Sequence, residues 1–216
     1  MNRNFLKWLR YSIALVFVVF AVYVNYLNNI VKREFSKPES ANFITYDQQS
    51  SVAINMLLIT EDQSFFEHSG VDFKEIVRVI RDYVLHDKPL RGASTLTQQL
   101  IKNSLLTRER TVTRKLKEVL MALLLEMSFD KQFILNRYMN SVYLGQKGAH
   151  PVRGFGQAAQ FYFNQTIELL SLEEVATLVA LVKGPSFYHP VRHPQRLAKR
   201  RQLVLSLYNK YEKIVK

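Results

Sequence analysis

Val112-Thr113-Arg114-Lys115-Leu116-Lys117-Glu118-Val119-Leu120-Met121-Ala122-Leu123-Leu124-Leu125-Glu126-Met127 is the stretch on which the fold reading turns. Val112, Leu116, Val119, Leu120, Leu123 and Met127 recur at intervals of three and four, one stripe with the period of an α-helix, while Arg114, Lys115, Lys117 and Glu118 lie away from its centre. The spacing predicts an amphipathic helix that turns this stripe to a core. Helix-start signals lie on both sides. Asp72 and Glu75 stand at capping-box spacing before the apolar positions Phe73, Ile76, Val77, Ile80 and Val84. Thr95 with Gln98, and Ser171 with Glu174, repeat that spacing. A further helix is predicted from Pro194 or Gln195 to about Tyr211, with proline at a tolerated first position. No stretch alternates apolar and polar residues over the length of a strand. The 216 residues include only 7 Gly, where average usage gives roughly 15, so a turn-rich β architecture is disfavoured. The expected fold is all-α.

Toward the N-terminus the pattern changes. Tyr11 to Val31 is a run of 21 residues without Asp, Glu, Lys or Arg, long enough at about 1.5 Å per residue to cross a bilayer core of about 30 Å. A cleaved signal peptide would have a shorter apolar region and a small-residue cleavage site, whereas this run ends in Asn25-Tyr26-Leu27-Asn28-Asn29-Ile30. A core helix would show a polar face, and Ile13 to Val24 has none. A single transmembrane signal anchor fits best, with Trp8, Tyr11, Tyr23 and Tyr26 near its ends as interfacial aromatics. Arg3, Lys7 and Arg10 precede the span and Lys32, Arg33 and Lys37 follow it, so the charges nearly balance. The N-terminus is read as cytoplasmic. This divides the chain into a tail and anchor over residues 1–37, spanning about 11–31, and a domain over 38–216, joined through the polar stretch Ser36 to Asn42.

The net charge is +12, and the chain past residue 37 keeps +7 of it. A basic domain beside a membrane suits anionic headgroups or a phosphorylated substrate. Nucleic acid is excluded as a partner, since no nucleic-acid motif accompanies the anchor. There is no cysteine, hence no disulfide, thiolate metal site or thiol nucleophile.

Three clusters are equipped for chemistry. Glu61-Asp62-Gln63-Ser64-Phe65-Phe66-Glu67-His68-Ser69-Gly70 gathers acids, a histidine and aromatics after the apolar segment Val52 to Ile59. A carboxylate packed against rings is partly desolvated, which favours a general base near neutral pH. The same residues also suit a solvated turn with Phe65 and Phe66 as core anchors. Arg91-Gly92-Ala93-Ser94-Thr95-Leu96-Thr97-Gln98-Gln99-Leu100-Ile101-Lys102-Asn103 pairs a glycine with a helix start whose N–H groups would face an anion, or whose hydroxyls are simply caps. Arg114-Lys115-Leu116-Lys117-Glu118 places Arg114 and Glu118 four apart, either as a surface ion pair or as a holder of a diphosphate and its metal ion.

In order and wording these clusters resemble the peptidoglycan glycosyltransferase family, the lysozyme-like transglycosylase domain of class A penicillin-binding proteins and of monofunctional enzymes. The pattern Glu-Asp-x-x-Phe-x-x-His-x-Gly is met by Glu61, Asp62, Phe65, His68 and Gly70. Gly-x-Ser-Thr-Leu-Thr-Gln-Gln-Leu-x-Lys-Asn is met from Gly92 to Asn103, and Arg-Lys-x-x-Glu by Arg114, Lys115 and Glu118. Agreement extends from about Ser51 to Leu205, through Lys131 to Gly145, Arg153-Gly154-Phe155 and Val182 to Ser186, in wording most like the Gram-negative penicillin-binding enzymes. Asn136 stands where the fourth motif, Ile-Leu-Glu-x-Tyr-x-Asn, carries Glu, while Tyr138 matches.

The resemblance implies an all-α, lysozyme-like domain behind its anchor that polymerises lipid II into glycan strands. The 4-hydroxyl of an acceptor GlcNAc attacks C1 of a lipid-linked MurNAc with inversion, and undecaprenyl diphosphate leaves. It implies Glu61 as general base and Glu118 as second acid near the diphosphate. It further implies substrate contacts from Asp62, Phe65, His68, Ser94, Thr95, Gln98, Gln99, Lys102, Asn103, Arg114, Lys115, Tyr138, Arg153 and Lys183, with Phe65 and His68 shaping the pocket. A divalent cation, Mg2+ or Mn2+, with Glu118 as candidate ligand, is the cofactor so implied; no organic cofactor is. Partners so implied are lipid II as donor and acceptor, the nascent glycan strand, the bilayer, and a transpeptidase or other division and elongation proteins. The chain ends at Lys216, which reads as a monofunctional enzyme of the inner membrane with its catalytic domain in the periplasm. Because both substrates carry prenyl tails, an apolar surface is expected to enter the membrane, with Leu105, Leu106 and Val112 around Thr107 to Thr113 as candidates. The alternatives are a lysozyme-like glycan hydrolase, in which the glutamate is a protonated acid, and a non-catalytic lipid II-binding scaffold.

Overall fold

The computed structural model describes residues 3–39, 42–87, 92–107 and 109–215. Ser40 and Ala41 of the polar stretch, Arg91 of the second cluster and Arg108 lie outside them. The order along the chain is α1 (Arg3–Phe35), a 3-10 turn (Tyr46–Gln48), α2 (Ser51–Glu61), α3 (Phe73–His86), α4 (Leu96–Leu105), α5 (Val112–Ser128) and α6 (Lys131–Ser141). A hairpin of β1 (Tyr143–Lys147) and β2 (His150–Arg153) follows, then α7 (Phe155–Phe163), a second 3-10 turn (Ile167–Leu169), α8 (Leu172–Val182) and α9 (Pro194–Val215). The architecture is helical, as expected. The hairpin, antiparallel with Tyr143 opposite Arg153, is too short to have shown as alternation.

The caps are where composition placed them. Asp72 accepts from the N–H of Glu75, and Thr95 with Gln98 and Ser171 with Glu174 form complete capping boxes. Such caps fix where each helix begins, and therefore which residues are left in the connections.

The core forms around α2, whose Ala53, Ile54, Met56, Leu57, Leu58 and Ile59 are all buried. A helix that is apolar all round has to be enclosed, and α8 and α9 enclose it. Helix α4 packs on α5 and α6, completing the wall on which the acids lie. Gly70 makes the tight entry to α3 possible. Its φ is +90°, and a Cβ there would lie 2.7 Å from the carbonyl oxygen of Ala122 on α5. Gly70→Ala is therefore expected to cost about 1–3 kcal/mol, read as a lowered midpoint of thermal unfolding; an unchanged midpoint would contradict the close approach.

Two sequence readings change in three dimensions. The stripe on α5 is not the buried one, for Val112, Leu116 and Met127 are 78%, 60% and 82% exposed. The core instead receives Met121, Ala122, Leu124, Leu125 and, among them, Glu118. Helix α5 is apolar on two sides, through Leu123-Leu124-Leu125, and a 3.6 period reports a stripe without saying which neighbour covers it.

The anchor is also longer than its apolar run. Helix α1 has 33 residues, about 50 Å at the standard rise, and is long and apolar enough to cross a membrane. Its last turns do not project, because Leu27, Val31 and Phe35, spaced four apart on one face, are at most 4% exposed and lie in the same core as α2 and α5. Phe35 meets Phe129 edge to face, and Arg137 donates from Nη2 to the carbonyl oxygens of Phe35 at 3.1 Å and Lys37 at 2.8 Å. The last turns of α1 are thus part of the domain's core.

Candidate active site

Helix α2 ends on the first acid. The Glu61 side chain is 6% exposed, and a carboxylate so enclosed requires partners. Arg200 of α9 donates from Nη2 to Oε1 at 3.0 Å, and Gln99 of α4 from Nε2 to Oε2 at 3.5 Å. Gln99 is oriented in turn by the hydroxyl of Tyr138 on α6, which donates to its Oε1 at 2.9 Å. Tyr138 is 1% exposed. Desolvation, reinforced by Glu61 and Asp62, pushes its phenol well above the ordinary tyrosine value, so it remains a proton donor.

Behind Glu61 is a bonded frame. Asp62 accepts the N–H of Leu96 at 2.8 Å and meets His68 Nε2 at 3.0 Å. The N–H of Gly70 donates to His68 Nδ1 at 3.0 Å, which leaves the imidazole proton on Nε2, facing Asp62. Thr95 donates from its hydroxyl to the carbonyl of Gly70 at 2.7 Å. Phe65 is fully enclosed, with the Lys131 ammonium 4.4 Å from its ring centre. These contacts tie the loop after α2 to the start of α4 and so set the distance between Glu61 and Gln99.

The second acid, Glu118, is 2% exposed on the inner face of α5. Arg114 holds Oε2 at 2.6 Å and Lys115 holds Oε1, while Lys115 also donates to the hydroxyl of Ser94 at 2.9 Å. A surface ion pair does not describe this group; it is a buried carboxylate clamped by two cations. Lys102 stands near it. Its ammonium is held below the ordinary lysine value, first by partial desolvation and further by Lys115, Arg114 and Lys183, with Glu118 opposing. Four basic side chains therefore converge here.

Helix α4 links the two acids. Gln99, Lys102 and Asn103 are three and four residues apart and share one face, so the residue touching Glu61 and the residue sensing Glu118 are about one helical turn apart, roughly 5 Å along the axis. Asn103 and Lys102 are exposed on that face. Such a surface can take a proton at one end and hold an anion at the other.

Several of the residues named from the motifs are buried. Asp62, Phe65, Thr95, Gln98 and Tyr138 are at most 8% exposed, and the His68 side chain is 6% exposed. They orient the groups that face solvent, rather than facing it themselves. The start of α4 has no N–H row to offer an anion, because Leu96 N–H is spent on Asp62 and Gln98 N–H on Thr95. Arg153 does not join the basic group; its guanidinium donates to the carbonyl of Ser141 at 3.3 Å. Asn136 joins a neutral amide lock, in which Gln49 and Asn140 donate to its Oδ1 at 3.0 and 3.1 Å and Asn140 pairs with the backbone of Ile44.

Arg200 was not singled out from the sequence. The available signal was an arginine on an apolar stripe, since Leu197, Val204 and Tyr208 of α9 are all buried and Arg200 falls between them at helical spacing.

The donor set does not suit a divalent cation held by protein alone. Both oxygens of Glu118 are taken by cations, and among the described residues no three acids or histidines are grouped to hold a metal.

Comparison with known proteins gives a consistent picture. A family model described as transglycosylase matches residues 28–209. The chain is 42% identical over 179 residues to penicillin-binding protein 1B of Vibrio cholerae, covering 83% of this chain and 23% of that protein. It is 46% identical to penicillin-binding protein 1B of Haemophilus influenzae, covering 74% of this chain and 21% of that protein. Penicillin-binding protein 1A of Aquifex aeolicus is 44% identical, with 76% of this chain and 22% of that protein covered. The chain thus spans between a fifth and a quarter of the length of these curated relatives.

Proposed function

The chain belongs to the transglycosylase family, and from that premise we propose that it is a peptidoglycan glycosyltransferase that polymerises lipid II into glycan strands. One observation carries the reading: α4 meets the near-buried Glu61 through Gln99 and, three residues on, places Lys102 beside Arg114, Lys115 and Lys183. Glu61 Oε2 takes the proton of the acceptor 4-hydroxyl as that oxygen forms its bond to C1 of the donor. The bond from C1 to the diphosphate oxygen breaks with inversion, and its electron pair leaves with undecaprenyl diphosphate. A diphosphate is stable as an anion, so its departure needs positive charge more than a proton. Lys102, Arg114, Lys115 and Lys183 supply it, and Glu118 holds two of them in place.

Full-length protein in detergent, given labelled lipid II, is expected to make long strands and release undecaprenyl diphosphate. Shortening of existing strands without synthesis would favour a hydrolase, and binding without extension a scaffold.

The anchor fits the substrates, whose prenyl tails stay in the bilayer. In the proposed arrangement the N-terminus is cytoplasmic and the domain periplasmic. Of the three residues expected on the apolar surface that would meet the membrane, Val112 is exposed and Leu116 joins it. Leu105 and Leu106 pack against the core, whereas Val112 and Leu116 face outward. Val112→Ser with Leu116→Ser is expected to lower polymerisation in liposomes severalfold while sparing it in detergent; equal rates in both would remove these residues from the membrane face. The full chain is required, because deleting α1 would strip Leu27, Val31 and Phe35 from the core.

A further inference from the structure

Arg200 of α9 donates to Glu61 across 139 positions of sequence. It is 15% exposed, and its Nε is buried without a hydrogen-bond partner. A guanidinium is costly to place so unless the ion pair it makes is required. Four helices meet at this carboxylate: α9 through Arg200, α2 through Glu61 itself, α4 through Gln99 and α6 through Tyr138 behind Gln99. The two oxygens are held unequally. Oε1 has a charged donor at 3.0 Å, whereas Oε2 has an amide at 3.5 Å, the outer limit of a hydrogen bond.

Resting on the glycosyl-transfer reading above, we propose that Arg200 is a positioning residue for the reaction: it clamps Glu61 by Oε1 so that Oε2 is presented, ionised and with a free lone pair, to the attacking hydroxyl. Two consequences follow from an ion pair of this geometry. The carboxylate is fixed about its terminal torsion, which is otherwise broad. Its charge is compensated from the side away from α4, so the cations around Glu118 are left to the diphosphate. Arg200 does not itself touch substrate in this arrangement. Its loss is therefore expected to appear in turnover and not in affinity.

The test is steady-state polymerisation of labelled lipid II by full-length protein. Arg200→Met is expected to lower kcat by about 10- to 100-fold, the scale set by a misplaced catalytic group, with KM for lipid II within about twofold. Arg200→Lys, which keeps the charge but not the planar fork, is expected to recover part of kcat. Guanidinium at millimolar concentration is expected to rescue Arg200→Ala and to leave Glu61→Gln inactive. Unchanged kcat in Arg200→Met overturns the proposal, as does a rise in KM that accounts for the whole loss. Should Arg200→Met fail to fold, Arg200→Lys decides: wild-type kcat together with wild-type guanidinium response in that variant overturns it. The two readings fail separately. Glu61→Gln with normal polymerisation removes the base itself, while an inactive Glu61→Gln beside a normal Arg200→Met removes only the role of Arg200.

Discussion

Glu61→Gln is expected to reduce polymer formation by about 10²–10⁴-fold, the range for loss of a positioned general base, while the protein remains folded. The substitution keeps the size of the side chain and an oxygen that accepts from Arg200, and removes only the charge and the basicity. Losing the charge weakens a buried ion pair, and complete removal of one partner from such a pair costs about 3–5 kcal/mol. A retained amide acceptor keeps the cost below that. A small fall in the unfolding midpoint with unchanged circular dichroism is therefore expected beside the large loss of rate. Near-normal strand synthesis by Glu61→Gln would mean that the proton leaves the hydroxyl by another route.

The second large effect is expected at Lys102. It is an exposed member of the basic group and the one that α4 itself carries. Lys102→Met is expected to lower kcat/KM by roughly 10²–10³-fold, as removal of one donor to developing negative charge does elsewhere. The pH dependence has a definite sign. Because desolvation and the neighbouring Lys115, Arg114 and Lys183 hold the ammonium below the ordinary lysine value, its charge is present at low pH and is lost on the alkaline side sooner than for a free lysine. Activity is expected to fall with that loss. Lys102→Arg keeps a charge throughout, so its alkaline limb is expected at higher pH than that of the unaltered protein. Superimposable limbs for the two proteins would show that another group governs the decline.

The parts of this site that were legible differ from the parts that were not in the range over which they are determined. Glu61, Gln99, Lys102, Arg114, Lys115 and Glu118 were read from short motifs, and the structure gathers them between the end of α2 and helices α4 and α5. Phe65 and His68 were read as shaping the pocket, and both side chains are enclosed. Tyr138 and Thr95 were read as substrate contacts, because a motif reports that a residue is present and not whether it faces the substrate or the residue that does. Arg153 sits in matching wording, and its guanidinium donates to the carbonyl of Ser141 at the end of α6. Arg200 is hidden for the opposite reason: it stands inside the basic run Lys199-Arg200-Arg201, and the packing of α9 on α2 is what brings its guanidinium to Glu61.

From its order of residues alone, this chain determined that it would be helical, where α3, α4 and α8 would begin, that an apolar helix would lead it, and which acids and cations stand in its motifs. Those properties are local: a cap, a period or a motif spans at most a few turns. Tertiary structure alone decided that the inner face of α5 carries Glu118 and not the Val112–Leu116 stripe, that the end of α1 closes the core, and that an arginine from α9 grips Glu61. Each of those depends on which surfaces meet across tens to more than a hundred residues, and burial is set by the partner that covers a face, which a helical period does not encode.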